Sequence, residues 1–196
     1  IEEVGRIYGV DNIKGKLPVL PIKSGSYDKT VREIRNKMMS LGLNETLSYV
    51  LVPEADAKMF TKDDYEIVKL LAPLSEDKNT LRHSLLVALY KIYEYNKARN
   101  NKDVSIFEIG KAFQKKDEEY TETKKLAALM SGEYYLGLDQ KKVDFYVIKG
   151  VAEEILDYLG YNGRYSFVRN LEKTPDELHP GQSAVISVNN DIVGVI

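Results

Sequence analysis

The 196-residue chain has no cysteine and no tryptophan, and it has only two histidines. Without cysteine there is no disulfide framework, and two histidines alone make neither a credible zinc site nor a catalytic triad. His83 precedes Ser84, but neighbouring residues on a helix point in different directions, so they do not form a nucleophile–base pair. The absence of cysteine is compatible with a reducing compartment.

Long apolar runs and a surplus of positive charge are also missing. No run approaches the roughly 20 residues of a membrane-spanning helix, and there is no signal-peptide pattern. Lys and Arg number 28 against 30 Asp and Glu, which gives a formal charge of -2 and no global basic field of the kind that accompanies nucleic-acid binding. We therefore expect a cytoplasmic protein without a membrane partner.

The two ends of the sequence have the character of an internal piece of a longer protein. The chain opens in a helical pattern over residues 2–8 without an initiator Met, and it closes in a strand-like pattern over residues 192–196. Gly9 ends the first helix, and residues 10–26 are rich in Pro and Gly, as linkers are. We predict that residues 1–26 are the end of a preceding helical domain plus a linker. Residues 27–196 would then be a core that is truncated at its C-terminal end.

Apolar periodicity predicts an α+β fold with a largely antiparallel sheet flanked by helices. Helices are expected near residues 27–41, 84–99 and 144–159, with a short one at 53–56. Strands are expected near 45–52, 67–71, 105–114, 126–131, 183–188 and 192–196. The continuous apolar run at 126–131 predicts a strand buried on both faces. Turns at 117–119 and 189–191 predict two hairpins.

The segment 105–114 is the most informative of these strands. Period two places Glu108, Gly110, Ala112 and Gln114 on one face. The segment resembles the second signature motif of class II aminoacyl-tRNA synthetases, in which a strand reading roughly FEIGxxFR ends in an arginine that holds the α-phosphate of ATP. Gln114 stands at the arginine position, where a neutral amide replaces a charge-assisted contact of about 1.5–3 kcal/mol. The resemblance implies a degenerate motif, in which Glu108 either lines a vestigial pocket or is simply hydrogen-bonded.

Further segments are similar, in the expected order, to the β chain of bacterial phenylalanyl-tRNA synthetase. Residues 1–13 resemble its DLIEEVARIYGYDNIP, residues 72–86 its NPLSxE…LRxSLLPGLL, and residues 179–184 its HPGRSA. Residues 41–49 resemble the first class II motif, with Tyr49 where a proline is usual. Residues 136–139 are only a coincidental echo of the third motif, because they lack its arginine. Together the matches are specific, although each alone is weak.

The resemblance implies a non-catalytic core of class II synthetase-like fold. Such a core supports assembly with the catalytic α chain, in a heterotetramer of two α and two β chains, and placement of tRNA(Phe). ATP would be used by the holoenzyme and not by this piece. In the family, Glu2 and Glu3 together with two upstream aspartates bind Mg²⁺, an ion that favours carboxylate oxygens. Those aspartates are absent here, so the site is incomplete, and two solvated glutamates are the simpler interpretation.

The resemblance also implies that part of the helix at 27–41 is a subunit interface. The residues concerned are Val31, Ile34, Met38 and Met39. Packing on the chain's own sheet is the simpler interpretation, and the two are compatible. Arg82 is open to two interpretations as well, as a contact to RNA or the partner chain and as an ordinary salt bridge.

Two other functions remain open at this stage. A stand-alone ATP-dependent ligase core would need an arginine from elsewhere to reach the phosphates. A general RNA-binding module would use basic and aromatic side chains for phosphate pairing and stacking. Its candidates are Tyr90, Tyr93, Tyr95, Lys91, Lys97, Arg99 and Lys102, and a second group of Lys111, Lys115, Lys116, Lys124 and Lys125. A core stripe beside a solvated face explains the same residues.

Overall fold

The structure is a computed structural model that describes residues 1–21, 25–62, 64–136 and 138–196. Within these ranges the α-helices are α1 (Glu2–Tyr8), α2 (Thr30–Ser40), α3 (Leu86–Lys97) and α4 (Phe145–Tyr158). Short 3-10 turns lie at Val10–Asn12, Glu54–Asp56 and Glu76–Lys78. Residues 22–24 of the predicted linker and Gly137 of the third-motif echo lie outside the described residues. No helix in the described ranges combines the length and the apolar character that crossing a membrane requires.

The strands of the described residues form four small sheets. The strands are β1 (Asn44–Glu45), β2 (Leu51–Val52), β3 (Thr80–Leu81), β4 (Val104–Lys116), β5 (Glu119–Ser131), β6 (Glu133–Leu136), β7 (Asp139–Lys142), β8 (Tyr165–Val168), β9 (Val185–Val188) and β10 (Asp191–Val195). Their orders are β1-β4-β5, β10-β9-β8, β2-β3 and β6-β7. The pairing of β1 with β4 is parallel, and the other pairings between these strands are antiparallel. The predicted α+β class with a largely antiparallel sheet is confirmed.

The long hairpin β4–β5 is the centre of the fold. Its register runs from Val104 opposite Ser131 to Lys116 opposite Glu119, so two residues close the turn. Asp117 has φ 50 and Glu118 has φ 66. Positive φ at both central residues is what a two-residue hairpin with right-handed strand twist requires. The predicted acidic turn is therefore confirmed.

Apolar residues pack on both faces of this hairpin. One face carries a core formed with α2 and α4, and its buried members are Met38, Leu41, Leu43, Phe107, Val151 and Ile155. The other face packs on α3 through Leu89, Val104 and Ile106. Ala128 and Met130 of β5 contact the first core, and Ala127 and Leu129 contact the second. The strand at 126–131 is thus confirmed, but its residues are only partly buried because β5 is the edge of its sheet.

The helix ends follow the local signals in the sequence. The Asp144 carboxylate accepts a hydrogen bond from the Val147 backbone N–H at 2.9 Å, as an N-cap residue does. Gly42 follows α2 with φ 80, and Gly160 follows α4 with φ 83. Helix α2 begins at Thr30, later than predicted, and the Asp28 carboxylate accepts from the Thr30 N–H at 2.9 Å.

Two strand predictions are wrong. Residues 45–52 do not form one strand, because β1 pairs with β4 while β2 pairs with β3, and the chain changes sheets between them. Residues 67–71 are not a strand either. This segment has only isolated bridges beside it, Glu66 with Lys115 and Lys69 with Thr80. The sequence analysis also missed β6, β7 and β8.

Candidate nucleotide site and partner surfaces

The face of β4 that carries the degenerate motif is covered by the chain itself. Glu108 is 2% exposed, Ala112 1% and Gln114 8%. The covering residue is Arg82, which follows β3 directly. Its N–H donates to the Val50 carbonyl and its carbonyl accepts from the Phe113 N–H, both at 3.0 Å. The backbone of Arg82 is therefore fixed between the segment that leads into β2 and strand β4.

The Arg82 side chain forms a buried polar network with Glu108 and Ser48. Nη2 donates to Glu108 Oε1 at 2.8 Å, and Nη1 donates to Ser48 Oγ at 2.7 Å. The Ser48 hydroxyl in turn donates to Glu108 Oε2 at 2.5 Å, and Arg82 Nε donates to the Lys111 carbonyl at 3.1 Å. The guanidinium and the carboxylate are both almost fully buried. We call these three residues the Arg82–Glu108–Ser48 network.

Gly110 is the residue that gives the guanidinium its space. A Cβ at this position would lie 2.6 Å from Arg82 Nη2 and 3.0 Å from Glu108 Oε1. Any side chain here would therefore push Arg82 away from the strand. Because Gly110 has no side chain, the Arg82 side chain can lie against the face of β4 that carries the motif residues.

This arrangement does not fit an ATP phosphate. A phosphate site needs a cation whose charge is available, and the Arg82 guanidinium is bound to a carboxylate in a buried pair. Gln114 contributes a neutral amide. Of the two interpretations of Arg82, the ion pair is the one found, and at 1% exposure the residue cannot meet RNA or a partner chain. Glu108 is correspondingly hydrogen-bonded rather than lining an open pocket.

The two predicted metal ligands lie on the exposed helix α1. Glu3 Oε2 accepts from Arg6 Nη2 at 2.6 Å, so one of the two carboxylates already has a cation as its partner. Within the described ranges, no group of three or more His, Asp or Glu side chains could hold a metal ion. The role of Glu2 and Glu3 as metal ligands stays a prediction.

Comparison with known proteins decides the family. The sequence model described as "Phenylalanyl tRNA synthetase beta chain CLM domain" matches residues 13–196. The chain belongs to the phenylalanyl-tRNA synthetase β-chain family. The phenylalanine–tRNA ligase β subunit of Staphylococcus aureus is 38% identical over 206 residues, and that of Bacillus subtilis is 34% identical over 204. Each match takes in 100% of this chain and 25% of the relative, so the chain spans about a quarter of their length.

Solved structures bear out the class II synthetase-like fold. A pyrrolysyl-tRNA synthetase from Desulfitobacterium hafniense superposes with a TM-score of 0.58 at 15% identity, covering 84% of this chain and 53% of that one. A second structure of the enzyme from the same organism has a TM-score of 0.52 at 12% identity, covering 81% and 54%. At such identities the likeness concerns the fold alone.

The four residues predicted as an interface of this β-chain family member differ in accessibility. Met38 is 1% exposed and lies in the core between α2 and α4, so its side chain is not available to a partner. Ile34 packs against the same core, and Val31 is half-buried. Met39 is 47% exposed. A partner contact on this helix thus depends chiefly on Met39, and it stays a prediction.

A larger apolar surface was missed by the sequence analysis. Leu47 is 86% exposed, Tyr49 72%, and Leu71 and Leu74 106% each, and we call these four residues the Leu47–Leu74 surface. Ser48 points into the buried network, so its two neighbours point outward. The segment between Leu71 and β3 passes close to Tyr49, because Lys78 Nζ lies 4.1 Å from the centre of the Tyr49 ring. Strongly exposed apolar side chains on neighbouring segments are candidates for an interaction site.

Two of the five lysines around the β4–β5 turn are paired with acidic neighbours. Lys111 pairs with Glu122, and Lys115 pairs with Glu118 at 2.9 Å and with Glu66 at 3.2 Å. The hydrogen bonds that Lys115 Nζ donates to the Glu118 and Glu66 carboxylates raise the pKa of Lys115. This patch therefore offers less positive charge than the sequence indicates.

Proposed function

We propose that this chain is the non-catalytic core of the β chain of phenylalanine–tRNA ligase. It supports assembly with the catalytic α chain and placement of tRNA(Phe), while the holoenzyme uses ATP at a site outside this chain. The observation that carries the proposal is the Arg82–Glu108–Ser48 network. In a member of this family, an internal ion pair covers the motif strand where a phosphate-binding cation would have to be available.

The Leu47–Leu74 surface supports the assembly part of the proposal. Its four side chains expose most of their area, which costs hydrophobic free energy unless another surface covers them. The α chain, in an assembly of two α and two β chains, is the partner we propose for it. Leu47 and Tyr49 flank Ser48, so a partner bound to them would also contact the segment that contributes Ser48 to the buried network.

The proposed domain division rests on the exposure of the first residues. Helix α1 contains no buried residue, and the described part of residues 9–26 that follows it is mostly exposed and, after the 3-10 turn at Val10–Asn12, has no regular secondary structure. Residues 1–26 would thus belong to a preceding domain and linker, and residues 27–196 to the core. In the intact protein Glu2 and Glu3 would hold Mg²⁺ with further carboxylates, and the enzyme would be cytoplasmic.

Co-purification with the α chain tests the proposal, with the full-length β chain as the bait. Leu71→Asp places a charge on the Leu47–Leu74 surface. Leu138→Asp is a matched control, because Leu138 is 104% exposed and lies on the β6–β7 hairpin. We expect Leu71→Asp to reduce the α chain retained by tenfold or more, roughly 1.4 kcal/mol, and the control to retain it fully. Met39→Asp in the same assay tests the helix prediction.

Equal retention by all three variants would contradict the proposed docking surface. Retention of no α chain by the unaltered β chain would contradict the proposed function itself. The RNA-module alternative predicts salt-dependent binding to many unrelated RNAs without the α chain, which the same preparation can be tested for.

A further inference from the structure

The end of helix α3 concentrates positive charge in a chain that is slightly acidic as a whole. Residues 95–102 contain Lys97, Arg99 and Lys102 and no acidic residue, against a net charge of -2 for the chain. Among the described residues, no carboxylate forms an ion pair with any of the three. Lys91, nearly two turns before Lys97, is paired with Asp56. We call Lys97, Arg99 and Lys102 the α3 cation cluster.

Helix α3 ends in a reversal of the chain, after which Lys102 follows. Asn100 is left-handed with φ 62, and the Asn101 N–H donates to the Asn96 carbonyl at 3.1 Å. This six-to-one bond reverses the chain at the helix end. The Asn101 side-chain amide also donates to Asn96 Oδ1 at 3.0 Å. The chain therefore changes direction after α3, before it reaches Lys102.

Aromatic rings, rather than carboxylates, hold two of these cations. The guanidinium carbon of Arg99 lies 3.4 Å from the centre of the Tyr95 ring, and its Nη1 donates to the Tyr95 carbonyl at 3.0 Å. Lys97 Nζ lies 5.5 Å from the centre of the Tyr93 ring. A ring face orients a cation without cancelling its charge. Arg99 is therefore positioned, exposed and still able to donate through its remaining N–H groups.

For Arg99 and Lys102 the nearest acid in sequence, Asp103, is engaged elsewhere. Its Oδ1 accepts from the Glu133 backbone N–H at 2.9 Å, on the side of the turn at Gly132. Cations at a helix C-terminus are also favoured by the helix dipole, which any Lys or Arg would satisfy. The dipole does not explain the stacked guanidinium or the reversal of the chain toward the helix end.

We propose that the α3 cation cluster binds the phosphate backbone of RNA. A planar guanidinium that is already oriented forks onto two phosphate oxygens, and Lys97 and Lys102 add positive charge in the same exposed segment. The inference rests on the proposed function, since the RNA is the tRNA that the holoenzyme charges. It adds the place on this chain at which that RNA is held.

The test uses the α/β complex made with the full-length β chain and a transcript of tRNA(Phe). Arg99→Glu/Lys102→Glu reverses two charges of the cluster. Lys141→Glu/Lys142→Glu makes the same charge change on two exposed lysines of β7. For the first variant we expect roughly tenfold weaker RNA binding and a salt dependence that is lower by about two phosphate contacts. Pyrophosphate exchange with phenylalanine and ATP should be unchanged, and the control should stay within about twofold of the unaltered complex.

Several results would overturn the inference. RNA binding within about twofold of the unaltered complex would do so, and so would an equal loss in the control. Loss of the α chain from the complex would assign this surface to a protein partner instead. Arg99→Gln/Lys102→Gln guards against a folding defect, which the unfolding midpoint of each variant reports. Arg99→Lys keeps the charge but not the fork, so RNA binding equal to that of the unaltered complex would contradict the bidentate contact assigned to Arg99.

Discussion

Arg82 and Glu108 form an ion pair in which both charges are buried. Removing either charge alone should therefore lower the free energy of unfolding considerably. We predict that Arg82→Met lowers the free energy of unfolding by about 3–5 kcal/mol, because Glu108 is left buried without its cation. The double variant Arg82→Met/Glu108→Leu should recover much of this loss. Urea unfolding of both variants measures it, and a loss below about 1 kcal/mol for the single variant would show that the pair is not buried as described.

Tyr134 carries a second prediction at the residue scale. Its hydroxyl donates to the Leu41 carbonyl at 2.5 Å, and burial raises the pKa of Tyr134 above its ordinary value of 10.0. Below that value both folded and unfolded chains are neutral at this residue, so its contribution to stability is fully present. As the pH rises through the folded pKa the contribution is lost, because the unfolded chain ionises first.

The variant Tyr134→Phe isolates this residue from the other tyrosines. We predict that it lowers the free energy of unfolding by about 1 kcal/mol at neutral pH, because the Leu41 carbonyl loses its donor. Its stability should also decline less steeply above pH 10 than that of the unaltered chain. Parallel stability curves for the two chains above that pH would contradict the assignment.

At the scale of the element, the turn of the β4–β5 hairpin is strained by its residues. Asp117 and Glu118 both have positive φ, where Asn and Gly are favoured. We predict that Asp117→Asn/Glu118→Gly raises the free energy of unfolding by about 1 kcal/mol. The lost contact between Glu118 and Lys115 is exposed and contributes little. Glu119→Gly, one residue further on in β5, should destabilise the chain, and thermal unfolding that ranks the two variants the other way would contradict the turn type.

Local signals were sufficient for some elements and not for others. The cap at Asp144, the glycine stops at Gly42 and Gly160, and the acidic turn at 117–119 depend on neighbouring residues, and the sequence predicts them correctly. The segment 45–52 is different, because its two halves pair with strands that are distant in sequence. No periodicity within the segment contains that information. The polar strand β7, with the sequence Asp-Gln-Lys-Lys, has no apolar alternation from which it could be recognised.

At the scale of the whole molecule, the sequence was sufficient to predict the family and the fold. It was sufficient for only one of the two features that distinguish the motif strand. Gln114 indicates the missing cation. The sequence does not indicate that Arg82, which lies 26 residues before Glu108, pairs with that carboxylate and covers the strand. The exposed Leu47–Leu74 surface was equally hidden, because exposure depends on how the segments pack. What the structure adds is the ion pair that covers the motif strand, and a set of exposed apolar side chains for which we propose a partner.

Titration of the full-length β chain with Mg–ATP, in the absence of the α chain, tests the central claim most directly. Calorimetry of the α/β complex under the same conditions provides the positive control. The guanidinium that lies on the covered face of the motif strand, that of Arg82, is bound to Glu108. We therefore predict no saturable binding of ATP by the β chain alone in the micromolar range. Micromolar binding of ATP by the β chain alone, weakened by Gln114→Ala or Arg82→Met, would contradict it.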